Sequence, residues 1–87
     1  MLDNCNWYVY FAKCLDETIY IGVSPDVNKR IEAHNKGQGA KYTKGRLPVF
    51  LAHKEGPYTH SVACQKEYEY KQLSRLEKLY KIEGGKR

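Results

Sequence analysis

No stretch of this sequence approaches the roughly 20 apolar residues that a membrane-crossing helix needs. The first residues, Met1-Leu2-Asp3-Asn4-Cys5-Asn6, carry neither the basic nor the apolar region of a signal peptide, so a cytoplasmic location is expected. Cysteine is sparse: Cys5, Cys14 and Cys64 are odd in number and far apart. A secreted disulfide scaffold would use more, in even number. No Cys-x-x-Cys is present, which argues against structural zinc and leaves reduced, partly buried thiols as the simpler reading. There is no phosphate-binding Walker loop, no dinucleotide fingerprint, no His-Glu-x-x-His, and no argument for a Ser-His-Asp set. Internal repeats and linkers are also lacking.

What remains is 87 residues, enough for one domain (1–87) and no second core, with ends at 1–6 and 83–87 expected to fray. Such a chain buries only about 60–65% of its unfolded surface, so its core must be economical. The net charge of +5 is uneven. Residues 1–35 hold 3 Lys/Arg against 5 Asp/Glu, and residues 36–87 hold 12 against 5. A basic second half suits a polyanionic partner, although many basic surfaces are merely solvated.

Trp7-Tyr8-Val9-Tyr10-Phe11-Ala12 is aromatic and β-branched and reads as a strand; Thr18-Ile19-Tyr20-Ile21-Gly22-Val23 reads as a second. The short gap implies an antiparallel hairpin, with Tyr8 and Tyr10 sharing one face and Tyr20 and Gly22 sharing one face. Ser24-Pro25-Asp26 reads as a helix start with serine as cap and proline at the first helical position. That helix is expected to run to about Asn35, with Val27 and Ile31 one turn apart as its apolar stripe and Arg30 and His34 flanking it. One short helical turn is expected around Ala40-Lys41-Tyr42, a third strand over Pro48–Ala52, and a loop over Glu55-Gly56-Pro57-Tyr58. Ser61 then caps a helix to about Leu73, and Ser74 caps a last one to about Ile82. The expected order is ββαβαα: an α+β fold, a small three-stranded antiparallel sheet flanked by helices.

The chemistry-bearing candidates are tyrosines, Arg30, His34 and Glu67. Taken singly, each has a plain alternative. Strand tyrosines are commonly core. Arg30 alone is a solvated helix residue, and His34 alone an ordinary histidine. Glu67 alone is a surface acid that pairs with Lys71 for about 0.3–0.5 kcal/mol. Together and in order, Tyr8-Val9-Tyr10, Tyr20-Ile21-Gly22, Arg30, His34 and Glu67 resemble the GIY-YIG nuclease superfamily. Ala33-His34-Asn35, Gly39-Ala40-Lys41-Tyr42-Thr43 and Lys66-Glu67-Tyr68 through Ser74 resemble its small bacterial single-domain branch, over nearly the whole chain. Tyr8 stands where the family name has glycine, a departure familiar in that branch.

The resemblance implies a phosphodiesterase with one divalent metal, usually Mg²⁺ with Mn²⁺ as the alternative, held chiefly by Glu67. It implies a tyrosine that serves as the base for water and Arg30 as the group that stabilises phosphate charge. Tyr10 is the favoured base, with Tyr8 and Tyr20 left open. A phenol needs a nearby cation or metal for that task, since its ordinary pKa is about 10. His34, one turn after Arg30, is a candidate proton carrier or phosphate contact. Gly22 marks a place of close backbone approach. Lys36, Lys41, Lys44 and Arg46, with Tyr42 interleaved and Lys71 nearby, form a candidate surface for tracking and stacking on nucleic acid. Many family members carry a late asparagine that orders the site; this chain has none after Asn35, and Lys71 or Gln72 is the candidate substitute.

The leading expectation is thus a metal-dependent DNA endonuclease, monomeric, with weak sequence specificity and a shape preference or a protein partner for targeting. A nucleic-acid-binding module of the same fold without strong catalysis is the second reading. A protein-interaction domain using the aromatic hairpin is the third.

Overall fold

The computed structural model describes residues 5–84. Much of the expected fraying, at 1–4 and 85–87, therefore lies outside the described residues. The elements are β1 (Trp7–Lys13), β2 (Ile19–Ser24), α1 (Val27–Asn35), α2 (Lys41–Lys44), β3 (Phe50–Tyr58), α3 (His60–Lys71) and α4 (Arg75–Ile82). The expected α+β class and element order hold. The sheet order is β2-β1-β3 and both pairings are antiparallel.

The central strand explains the layering. Side chains alternate along β1, so Val9 and Phe11 point one way and Tyr10 and Ala12 the other. All four are buried, because helices cover both faces of the sheet. Val9, Phe11, Ile19, Ile21 and Ala63 make one cluster, closed by Tyr70, Leu79 and Ile82 from α3 and α4. Tyr10, Ala12, Cys14, Val27 and Val49 make the other, with Tyr8, Tyr20 and Ile31 packed against it. Val27 and Ile31 are thus the buried stripe of α1, as their spacing predicted.

Three boundaries differ from expectation, each for a local reason. Ser24 stays in β2, paired with Tyr8, and its hydroxyl donates to the Asp26 carbonyl and accepts from the Asp26 N–H. Capping passes to Asp26, whose carboxylate accepts from Lys29 N–H at 3.1 Å, so α1 begins at Val27 and Pro25 precedes the cap. β3 starts at Phe50 and runs through the stretch expected to be a loop. Pro57 is tolerated because β3 is an edge strand, and Gly56, at φ +141°, makes the bulge where the register shifts between Trp7 and Val9. Thr59, not Ser61, caps α3, accepting from Val62 N–H at 3.2 Å. Ser74 caps α4 as expected, and Glu77 completes a reciprocal capping box.

One carboxylate ties three elements together. Glu55 of β3 accepts from the Tyr70 hydroxyl of α3 at 2.7 Å and pairs with Lys81 of α4 and with His53, each at 2.9 Å. Burial alone would raise its pKa, but these donors and the Lys81 charge outweigh burial and hold it at about 2.

Candidate functional site

The register of the hairpin builds the site. Tyr10 lies directly opposite Gly22. A Cβ on residue 22 would stand 2.6 Å from the Tyr10 hydroxyl oxygen, so only glycine lets the phenol lie across β2. Tyr20 is level with Ala12 and Tyr8 with Ser24, so the two tyrosines flank Tyr10 from opposite ends.

From the facing helix, His34 is fully buried with its Nε2 2.9 Å from the Tyr10 hydroxyl. Its Nδ1 is 2.8 Å from the Thr43 hydroxyl, which donates to the Ala40 carbonyl at 2.8 Å. A hydroxyl has one proton to give. With that proton on Ala40, Thr43 accepts from the His34 Nδ1–H, and Nε2 is left to accept from Tyr10. The Ala40 N–H also points at Nδ1, at the longer distance of 3.3 Å, and the two shorter contacts set the tautomer. Burial first, and the Arg30 charge second, lower the His34 pKa, keeping the ring neutral and its Nε2 lone pair available. Gly39 makes room for the ring: a Cβ there would fall 2.1 Å from Nδ1.

Four rings gather at this point. Tyr20 lies 6.3 Å from Tyr10, 5.2 Å from His34 and 5.9 Å from Tyr42, centroid to centroid. Tyr10 is 1% exposed, and its pKa is pushed up to about 12 by burial first and then by Tyr20 and Glu67, against the lowering pull of Arg30. The same balance shows that Arg30 from α1 and Glu67 from α3 both lie within electrostatic reach of the Tyr10 hydroxyl. Glu67, 24% exposed, pairs with Lys71 at 3.2 Å, and Lys71 Nζ stands 5.9 Å from the Tyr20 ring centroid.

Among the described residues no three His, Cys, Asp or Glu side chains are grouped to hold a metal. One hard carboxylate beside solvent fits Mg²⁺, which keeps most of its waters and shares substrate phosphate; it does not fit zinc, which wants a closed set of nitrogen or sulfur ligands.

The structure therefore brings Tyr10, Tyr20, Arg30, His34, Glu67 and Lys71 together, with Gly22 beneath them. Tyr8 sits at the margin, packed under Lys54 Nζ at 4.8 Å. Lys41, Tyr42 and Arg46 border a shared concavity, while Lys36 caps α1 and Lys44 ends α2, both exposed. Of the two candidates for the absent asparagine's role, Lys71 reaches Glu67, whereas Gln72 turns back to the Tyr68 carbonyl at 3.4 Å. Thr43 and Gly39 belong to the site, although sequence reasoning gave neither a role; their signal was the Gly39–Thr43 stretch, read only as a family-like string. A concavity of ≈ 740 Å³ between β3 and α4 lies at Glu55, Leu76 and Tyr80, away from these groups.

Residues 6–81 match the family described as the GIY-YIG catalytic domain. A UPF0213 protein of Staphylococcus aureus is 51% identical over 72 residues, covering 83% of this chain and 88% of that protein. The solution structure of the UPF0213 protein BH0048 from Bacillus halodurans is similar with a TM-score of 0.56 at 40% identity, covering 88% of this chain and 82% of that one. The solution structure of EF2693 from E. faecalis is similar with a TM-score of 0.59 at 32% identity, covering 100% of this chain and 95% of that one. With the family match spanning residues 6–81 and a relative 51% identical over 83% of the chain, the chain belongs to the GIY-YIG catalytic-domain family.

Proposed function

We propose that this protein is a cytoplasmic, metal-dependent endonuclease that hydrolyses phosphodiester bonds in DNA. The observation that carries the reading is the buried Tyr10 hydroxyl, laid against Gly22 and 2.9 Å from His34 Nε2, with the charges of Arg30 from α1 and Glu67 from α3 acting on it. Glu67 would hold Mg²⁺, whose chemistry when bound is to neutralise developing charge on a phosphate oxygen. Arg30 supplies a fixed cation for the same charge; its guanidinium stays protonated throughout. Tyr10 is a poor base if it must become a free phenolate, given a pKa of about 12. The His34 contact offers another course. As the Tyr10 oxygen takes a proton from the attacking water, its own proton passes to His34 Nε2, so no free phenolate is formed. Thr43 holds the resulting imidazolium in place through Nδ1–H.

The test is cleavage of end-labelled DNA with and without Mg²⁺ or Mn²⁺, comparing wild type with Tyr10→Phe, Tyr20→Phe and Arg30→Ala. Metal-dependent cutting that falls at least about a hundredfold in Tyr10→Phe and Arg30→Ala supports the reading. Tyr10→Phe cutting at the wild-type rate would remove Tyr10 from the proton path.

A second reading, a binding module of the same fold, is favoured by one observation: Glu67 is already paired with Lys71. It predicts salt-sensitive binding and no turnover with any divalent ion.

A further inference from the structure

β2 is an edge strand, and its outer side pairs with no other strand among the described residues. Along that edge lie two adjoining concavities. One, ≈ 330 Å³, is lined by Tyr20, Tyr42, Lys71 and Lys78 along with Ile19 and Ile21 of the strand itself. The next, ≈ 180 Å³, shares Ile19, Tyr42 and Lys78 and adds Thr18 and Arg75. Arg75 is pre-set there, because its guanidinium donates to the Glu17 carbonyl in the β1–β2 turn. Arg46 is likewise fixed, stacked 4.2 Å over the Tyr42 ring and paired with Asp16 at 3.0 Å. Rings and cations thus alternate along one edge, and Lys71 links that edge to Glu67.

This combination discriminates between forms of nucleic acid. A duplex turns its sugars and phosphates outward and keeps its base faces stacked inside, so it has no free base face to lay against the exposed Tyr42 ring or its neighbour Tyr20. An unpaired nucleotide offers a π-face for the rings and a phosphate for each cation. We propose that the outer edge of β2 is a binding track for an unpaired nucleic acid strand, with a base against Tyr20 and Tyr42 and its phosphates met by Lys71, Lys78 and Arg75. The proposal rests on the nuclease reading of the neighbouring site. It makes single strands, or unpaired segments within branched or frayed DNA, the substrate delivered to Glu67. Arg75 and Lys78 join the functional surface as residues whose helix spacing alone marks them as ordinary solvated cations.

Binding can be measured without turnover. Fluorescence anisotropy in EDTA would compare a labelled mixed-sequence DNA single strand with the duplex of the same sequence. The proteins are wild type, Tyr42→Ala, Tyr42→Phe, Lys78→Ala, and Lys54→Ala on the opposite edge strand as control; circular dichroism verifies folding. The track predicts single-strand binding tighter than duplex binding by about tenfold or more. It predicts losses of about fivefold or more in Tyr42→Ala and Lys78→Ala, retention in Tyr42→Phe and Lys54→Ala, and a salt slope lowered by about 0.7 in Lys78→Ala. Duplex binding as tight as single-strand binding, unchanged binding in the folded variants, or no binding to either form would each overturn it. Metal-dependent cutting of duplex alongside any of those results would leave the nuclease reading standing and remove only the track.

Discussion

At the scale of single residues, the site depends on two absences of a side chain and one shared proton. Gly22 and Gly39 are empty where Tyr10 and His34 must lie, and Thr43 decides which nitrogen of His34 faces Tyr10. Thr43→Val leaves a buried Nδ1–H without an acceptor, so unfolding by denaturant should show a loss of about 1–3 kcal/mol, largely restored in Thr43→Ser. Equal stability of the valine and serine variants would contradict the assigned tautomer. Gly22→Ala drives a methyl into the Tyr10 hydroxyl and should destabilise by about 1–3 kcal/mol. It should also lower cleavage, because the phenol is pushed off its place. The neutral, buried His34 carries a pH signature. Its folded pKa lies below the ordinary 6.5, so its contribution is whole above that value and declines as pH falls below it. His34→Gln should flatten the stability profile just below 6.5 and leave the lower range unchanged.

At the scale of elements, α4 is held by polar ends more than by a buried face. None of its side chains is fully buried; Leu76 is 78% exposed. Its anchors are the Ser74–Glu77 capping box, the Arg75 contact to the β1–β2 turn and the Lys81 pair with Glu55. Glu55 has a folded pKa of about 2 against an ordinary 4.5, so its contribution is complete above about 4.5 and is lost as pH falls toward 2. The shift corresponds to at most roughly 3 kcal/mol. Glu55→Gln should remove that acid-dependent loss in thermal melts between those pH values, and an unchanged profile would show that the carboxylate does not hold α4. The sequence made some of this legible and some not. Tyr20-Ile21-Gly22 and Ser74 could be read because each works with its near neighbours, through strand alternation and the first turn of a helix. The full length of β3 and the role of Glu55 could not, because they depend on β1, α3 and α4, distant in sequence. Ser24 and Ser61 looked like caps, but Asp26 and Thr59 serve, since a strand register and a preceding bulge decide where the helical backbone starts. Arg30 and Glu67 were legible only as members of an ordered set.

At the scale of the whole molecule, the charge asymmetry of the sequence becomes a spatial one. The acidic first half supplies most of the sheet and α1, and the basic second half contributes Lys71, Arg75 and Lys78 from α3 and α4, facing Lys41 and Arg46 across the edge of β2. Nucleic-acid affinity should therefore fall steeply with salt, and removing several of these cations should reduce the slope in proportion. No helix among the described residues is long and apolar enough to cross a membrane. Cleavage of labelled DNA in Mg²⁺ by wild type and Glu67→Gln, with both proteins shown to be folded, tests the central claim most directly. The account predicts metal-dependent cutting by wild type and loss of it in the variant, with binding retained. Equal cutting by the two proteins, or none by wild type in Mg²⁺ or Mn²⁺, would contradict it.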